Sequence, residues 1–241
     1  MKRAIFSLLF LALLSSSCAI AVTPGDYVGN GKVVTTSLPV SGYGAVKNMT
    51  SGQVRLRMGS SRSVSVTIDE NLIGYLDIHT ENDALVISLQ PGKSLYRYTV
   101  FTVDVTLPSL NEIGVYGSGN ISVLNRFSGR SIVMTDQGSG VISGEFEYDH
   151  VTATILGSGN LKLSGGSDRL DARIYGSGNI QAAEFTAGEA VVAVNGSGSC
   201  TLRVLDSLDA RIYGSGSVYY RGYPSISITD FGPGEVKQLL R

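Results

Sequence analysis

Leu170-Asp171-Ala172-Arg173-Ile174-Tyr175-Gly176-Ser177-Gly178 recurs letter for letter as Leu208-Asp209-Ala210-Arg211-Ile212-Tyr213-Gly214-Ser215-Gly216, 38 positions later. Its closing triplet, Gly-Ser-Gly, also stands at 117–119, 138–140, 157–159 and 196–198, so successive copies are 21, 19, 19, 20 and 18 residues apart. A degenerate copy, Gly232-Pro233-Gly234, follows 18 residues after the last. The 38-residue offset is two periods of about 19. Regular repetition at that length means one supersecondary unit per repeat, stacked to bury a shared core.

Alignment on the triplet shows what the unit is made of. Two positions before the first Gly stand Val115, Asp136, Ile155, Ile174, Val194 and Ile212; four before it stand Ile113, Met134, Ala153, Ala172, Val192 and Ala210. Two after the last Gly stand Ile121, Ile142, Leu161, Ile180, Cys200 and Val218. Arg, Thr, Asp and Tyr lie between these columns. The alternation therefore has period two, and the segments are strands. Like residues recur above like residues, as parallel in-register strands require. The expected fold is all-β: a right-handed parallel β-helix or β-solenoid of 19–20-residue coils over 108–235, with a twisted β-sandwich or prism as the alternative. Gly-Ser-Gly is expected to form the corners, where glycine accepts positive φ.

Residues 36–107 lack the triplet but contain strand patterns at Gln53–Met58, Ser63–Ile68, Leu76–His79, Ala84–Leu89 and Thr99–Leu107. They read as an N-terminal β-module that covers the end of the stack, since an open edge pairs with other chains. Residues 22–35 read as a tether and 236–241 as a C-terminal tail or second cap.

Met1-Lys2-Arg3 followed by the apolar run Ile5 to Leu14 has the form of a secretory signal over 1–21, too short for a permanent span. Leu14-Ser15-Ser16-Ser17-Cys18 resembles a lipobox, with Cys18 lipidated as the new N-terminus. Cleavage after Ala19-Ile20-Ala21 is the alternative. Several acyl chains anchor a protein stably where one does not. The expected location is accordingly the outer membrane or cell surface for a lipoprotein, and the periplasm or medium otherwise. With Cys18 acylated or removed, Cys200 has no partner, so a disulfide framework is excluded. Net charge is −1 and charged residues are 16%, which leaves no field to attract nucleic acid or anionic lipid.

Chemistry is sparse. His79 and His150 lack spaced ligands and read as solvent-facing, so no metal or cofactor site is expected. Nucleophile-elbow and phosphate-loop patterns are missing, and no catalytic residue is assigned. Stacked calcium would require carboxylates, whereas Asn120, Val141, Asn160, Asn179, Ser199 and Ser217 follow the triplets. Those Asn residues suit turns in which Asn bonds its own backbone. Cys200 reads as a small core residue. Asp136, in a column of Val and Ile and in the 21-residue coil, is expected to be turned outward by a bulge, because a buried unpaired carboxylate is costly. Asp171, Arg173, Asp209 and Arg211 form an outward charged set suited to solubility.

Tyr116, Tyr175 and Tyr213 share the outward column just before the triplet, with Gln137, Leu156 and Asn195 between them. Aromatic rings beside polar groups suit contacts with glycans or host and cell-surface proteins. These three are the candidate ligand-binding residues.

The segment Leu38-Pro39-Val40-Ser41-Gly42-Tyr43-Gly44-Ala45-Val46, the strand Asp83-Ala84-Leu85-Val86-Ile87, the Gly-Ser-Gly-Asn repeats and the closing Val218-Tyr219-Tyr220-Arg221-Gly222-Tyr223-Pro224-Ser225-Ile226 resemble the GIN-type auto-transporter adhesin head domain of exported bacterial proteins. The resemblance runs from about Leu38 to Gly234. It implies a β-solenoid-like fold and an adhesive role, and supplies no catalytic residue. Two main functions follow: a non-catalytic surface adhesin or ligand-binding module, or an envelope lipoprotein acting as spacer or assembly partner. A polysaccharide-active enzyme is a minor third.

Overall fold

The computed structural model describes residues 26–240; the leader expected over 1–21, with Cys18, lies outside them. Nine strands precede residue 108: β1 (Asp26–Val28), β2 (Val33–Leu38), β3 (Ala45–Asn48), β4 (Gln53–Met58), β5 (Ser63–Asp69), β6 (Leu76–Glu81), β7 (Ala84–Leu89), β8 (Ser94–Arg97) and β9 (Phe101–Leu107). Ten follow: β10 (Glu112–Val115), β11 (Asn120–Val123), β12 (Phe127–Asp136), β13 (Val141–Ile155), β14 (Asn160–Ile174), β15 (Asn179–Val194), β16 (Ser199–Ile212), β17 (Ser217–Arg221), β18 (Ser225–Asp230) and β19 (Glu235–Gln238). A 3-10 helix at Glu70–Tyr75 is the one helix among the described residues.

From β10 onward every pairing between successive coils is parallel, which establishes a β-solenoid. The chain runs along one side, turns at Gly-Ser-Gly and continues along the next side. The columns are real: Val115, Asp136, Ile155, Ile174, Val194 and Ile212 are consecutive register partners. All six are fully buried. A fully buried Val, Ile or Leu contributes about 1.5–3 kcal/mol, and every coil supplies several. Phe127, Phe146 and Phe185 form a further buried column at mid-coil, with Gly165 between the last two.

The corner glycines are required for a reason other than the expected one. Most of them do not have positive φ. Instead, each corner lies almost on the carbonyl of the corner before it. A Cβ on Gly138 would stand 1.8 Å from the Gly117 oxygen, and one on Gly140 would stand 1.9 Å from the Gly119 oxygen. The same oxygens accept hydrogen bonds from the next coil, as Gly117 O does from Ser139 N at 3.3 Å. Close coil-to-coil approach excludes a side chain there.

The stack does not begin at residue 108. β3 and β4 lie parallel and in register beneath β10 and β11, and β7 and β9 lie parallel beneath β3 and β4. Residues 45–58 are thus already a coil. Its corner is built by Asn48, whose Oδ1 accepts from Thr50 N and Thr50 Oγ1 while its Nδ2 donates to Gly52 O. Side-chain hydrogen bonds replace the triplet, so alignment on glycine passes over it. The capping role expected of the module falls to its antiparallel strands: β6 on β7, β5 on β9 and β2 on β5.

Residues 22–35 are not a free tether where they are described. β1 pairs with β8, and β2 lies along β5 from Val33 to Leu38. Leu38 and Tyr27 pack against the core, and the paired backbone holds the segment in place. At the other end β19 pairs with β17, so residues 235–238 are a coil side and not a tail.

Candidate functional site

The residue before each corner projects outward because it alternates with the buried column residue that precedes it. Backbone hydrogen bonds place these residues one above another: Tyr116, Gln137, Leu156, Tyr175, Asn195, Tyr213 and Phe231 each donate an N–H to the column residue of the preceding coil, at 2.7–3.0 Å. With Met49 at the N-terminal end, they form one row along the solenoid. Tyr175 is 46% exposed, Tyr213 48% and Phe231 74%.

The three candidate tyrosines are not equivalent. Tyr116 is only partly exposed, its ring folded back over Gly114. Tyr213 stacks on Phe231, with ring centroids 5.5 Å apart and planes at 19°. Tyr175 stands free two coils before Tyr213, a separation of about 9–10 Å from the strand spacing. Phe231 belongs to the surface although the sequence reading did not single it out. Its corner, Gly232-Pro233-Gly234, is degenerate, and it is the preceding position that carries the signal.

A second row, the exposed corner serines, runs beside the first. Ser197 Oγ and Ser215 Oγ are 3.1 Å apart. A third row begins just past the corners. Asn120 Oδ1 accepts from Val141 N at 2.9 Å, Asn179 Nδ2 donates to Asn160 Oδ1 at 3.1 Å, and Ser199 N and Oγ both donate to Asn179 Oδ1. These Asn residues lie at strand starts without positive φ, so the expected turn role is corrected: they link adjacent coils. Rigid apolar rings flanked by ordered hydroxyls can hold a ligand with a flat apolar face and a polar edge.

Asp136 departs from expectation. Its strand keeps register through Val115 and Ile155 and its side chain is fully buried. The two extra residues of its coil sit elsewhere: six positions separate Ile121 from Phe127, against four from Ile142 to the register partner Phe146. Asp136 Oδ1 accepts from Gly138 N at 2.9 Å, while Oδ2 is buried without a partner. Desolvation outweighs that one hydrogen bond and raises its pKa to about 6. Asn48 and Asp230, in the same column, accept from the backbone two residues on in the same way. The Asp136 carboxyl is therefore a corner-forming group.

The remaining titratable groups are dispersed. Cys200 is fully buried, and burial raises its pKa to about 12, so it is inert core. His79 pairs with Asp77 at 3.0 Å and His150 with Asp171 at 3.1 Å, both at the surface. Arg169 reaches Asp171 and Glu189, and Arg211 Nε donates to Asp209 within its own coil. Among the described residues no three His, Cys, Asp or Glu side chains converge on one metal-sized site.

A search of curated proteins finds no match. Among solved structures, a putative adhesin from Bacteroides fragilis superposes with a TM-score of 0.85 at 22% identity, over 88% of this chain and 100% of its own. A putative lipid binding protein from Parabacteroides distasonis superposes at 0.77 with 25% identity, over 89% and 100%. A putative adhesin from the same species gives 0.73 at 23% identity, over 89% and 100%. Residues 42–224 match the family model described as putative auto-transporter adhesin, head GIN domain. That match takes in both the early coil at 45–58 and every Gly-Ser-Gly corner, and the chain belongs to that family.

Proposed function

We propose that the chain is a non-catalytic, exported adhesin-type module that binds glycan or cell-surface protein ligands along the row containing Tyr175, Tyr213 and Phe231. The observation that carries this reading is the row itself: exposed aromatic rings held two coils apart (Tyr175 and Tyr213) and one coil apart (Tyr213 and Phe231) on a stack whose backbone is hydrogen-bonded on both sides. Aromatic side chains contribute large contact area at low conformational cost, and a rigid support keeps that cost low. Dispersed ion pairs and an inert cysteine support the non-catalytic reading. The basic, then apolar N-terminal sequence supports export, and Cys18 is the proposed lipidation site that holds the module at the membrane surface.

Two experiments test it. Protease shaving of intact cells should remove the protein, whereas protection would move it to a periplasmic spacer role. The purified protein should bind saturably to members of a glycan and matrix-protein panel. Tyr175→Ala with Tyr213→Ala should weaken that binding at least tenfold; unchanged binding would remove the aromatic row from the function.

A further inference from the structure

At a different corner, where the last coils bend between their two sides, β16 and β17 place Arg203 directly opposite Arg221. Adjacent strands lie about 4.8 Å apart, and like charges set opposite each other destabilise a sheet. Among the described strand pairings this is the one place where two fixed like charges are register partners. Other arginines opposite a charge have an anion there, Arg55 facing Asp104 and Arg169 facing Glu189. Among the described residues, neither Arg203 nor Arg221 forms an ion pair with a carboxylate.

The surroundings of this pair are apolar. The next outward positions are Leu205, 52% exposed, and Tyr223, 90% exposed. The chain returns alongside through Leu239, whose N–H donates to Tyr220 O at 2.7 Å, and Leu240. Together they bound a groove of about 930 Å³, within the range of about 300–1,000 Å³ usual for ligand sites. Beyond the arginines, the polar side-chain groups there are the Tyr223 hydroxyl and the Gln238 amide, whose Nε2 is already engaged with Gly222 O at 2.6 Å. A sugar acid would find few polar partners; an alkyl chain would find leucine and a tyrosine ring. Across Leu205 lies a second groove lined by Glu147, Asp149, Asp168 and Asp206, which repels an anion and leaves the arginines as the favourable place for it.

We propose that this groove binds an amphipathic monoanion of the long-chain carboxylate class, its head held by Arg203 and Arg221 and its chain laid on Leu205, Tyr223, Leu239 and Leu240. The planar guanidinium fork suits a carboxylate bidentately, and bound charge relieves the repulsion between the two arginines. The site is separate from the aromatic row and does not rest on it.

Titration of the purified protein with palmitate below its micellar concentration, followed by calorimetry, tests this. Saturable binding is expected, at least tenfold tighter than to hexadecanol and with no detectable binding of acetate. Arg203→Gln with Arg221→Gln should weaken palmitate binding at least tenfold while the thermal midpoint stays or rises, because both side chains are exposed. Tyr175→Ala should leave it unchanged. Equal binding of palmitate and hexadecanol, or unchanged binding in the folded double variant, would overturn the proposal. So would binding to phosphatidylglycerol vesicles without binding of monomeric palmitate, which would assign the arginines to a membrane surface.

Discussion

The two ends of the stack are built from the same columns and finish differently. At the N-terminal end, antiparallel β5, β2 and β6 lie over the outermost coil, and Val66, Ile68 and Leu72 are buried. At the C-terminal end, β18 and β19 continue the parallel columns. Ile226 stands over Leu208 and Ile228 over Ala210, yet they are 42% and 52% exposed while their partners are buried. Burial in a solenoid comes from the neighbouring coil as much as from the residue. Stability is accordingly close to a sum over adjacent coils, and position along the axis sets what a substitution does.

The largest expected effect breaks the comparison between interior and end. Ile174→Asp should cost at least about 4 kcal/mol, combining about 1.5–3 kcal/mol of lost burial with the penalty for a buried charge. Ile228→Asp, at the exposed end, should cost within about 1 kcal/mol. Urea unfolding of the two variants checks this, and equal losses would refute the axial dependence.

Glycines sharpen the comparison next. Gly138→Ala drives a methyl against the Gly117 carbonyl and should cost about 1–3 kcal/mol. Gly74→Ala, in the N-terminal 3-10 helix, meets open space and should be within about 0.5 kcal/mol of wild type. Thermal midpoints measure both.

Each region also has a fully buried aspartate, and the two respond to pH with opposite sign. In the N-terminal region, Asp69 accepts from Gly31 N, Thr99 N and Thr99 Oγ1 at 2.7–2.9 Å, and these bonds, led by Thr99 N–H, hold its pKa below the usual value. Its contribution is present above the unfolded pKa of 3.8 and is lost as pH falls through the lower folded value. In the solenoid, Asp136 has a folded pKa raised to about 6 from 3.8. The native state binds that proton more tightly, so stability rises as pH falls from above 6 towards 4. Asp136→Asn keeps the acceptor for Gly138 N–H and removes the charge. It should stabilise the protein by about 1–2 kcal/mol at pH 7.5, with the gain shrinking as pH falls below about 6 and vanishing only below the unfolded value of 3.8. Asp69→Asn should destabilise at pH 7.5. Denaturation midpoints against pH separate the two.

The smallest effect belongs to the surface row. Tyr213→Ala removes stacking on Phe231 and should cost about 0.5–1 kcal/mol, while Tyr175→Ala, with no ring partner, should be nearly silent in thermal melts. Both should change ligand binding far more than stability.

Much of the fold was legible because the repeat carries its own alignment. Once Leu170–Gly178 is set over Leu208–Gly216, the inward residues are readable as columns, and Cys200 is placed in the core by its neighbours Ile180 and Val218. The outward row of Tyr175 and Tyr213 was legible for the same reason. The coil at 45–58 was not, since Asn48 and Thr50 do with side chains what glycine does elsewhere. Asp136 was misread because residue type suggested exposure, whereas the uninterrupted register of β12 turns the side chain inward. Arg203 and Arg221 each stand five positions after a Gly-Ser-Gly, so the repeat offers the pair, but only the fold shows that the register holds that far into the mid-coil bend, where coil length varies.

By itself, then, the amino-acid order determined the coil period, the strand alternation, the corner positions and the identity of the core columns. Each of these depends on local spacing along the chain. Only the tertiary structure decided where the stack begins, which end is covered by antiparallel strands, which way Asp136 faces and which charges meet. Those outcomes depend on what lies one coil away, and at 18 to 21 residues' distance the neighbour is chosen by stacking register, which insertions at each bend shift independently of the repeat itself.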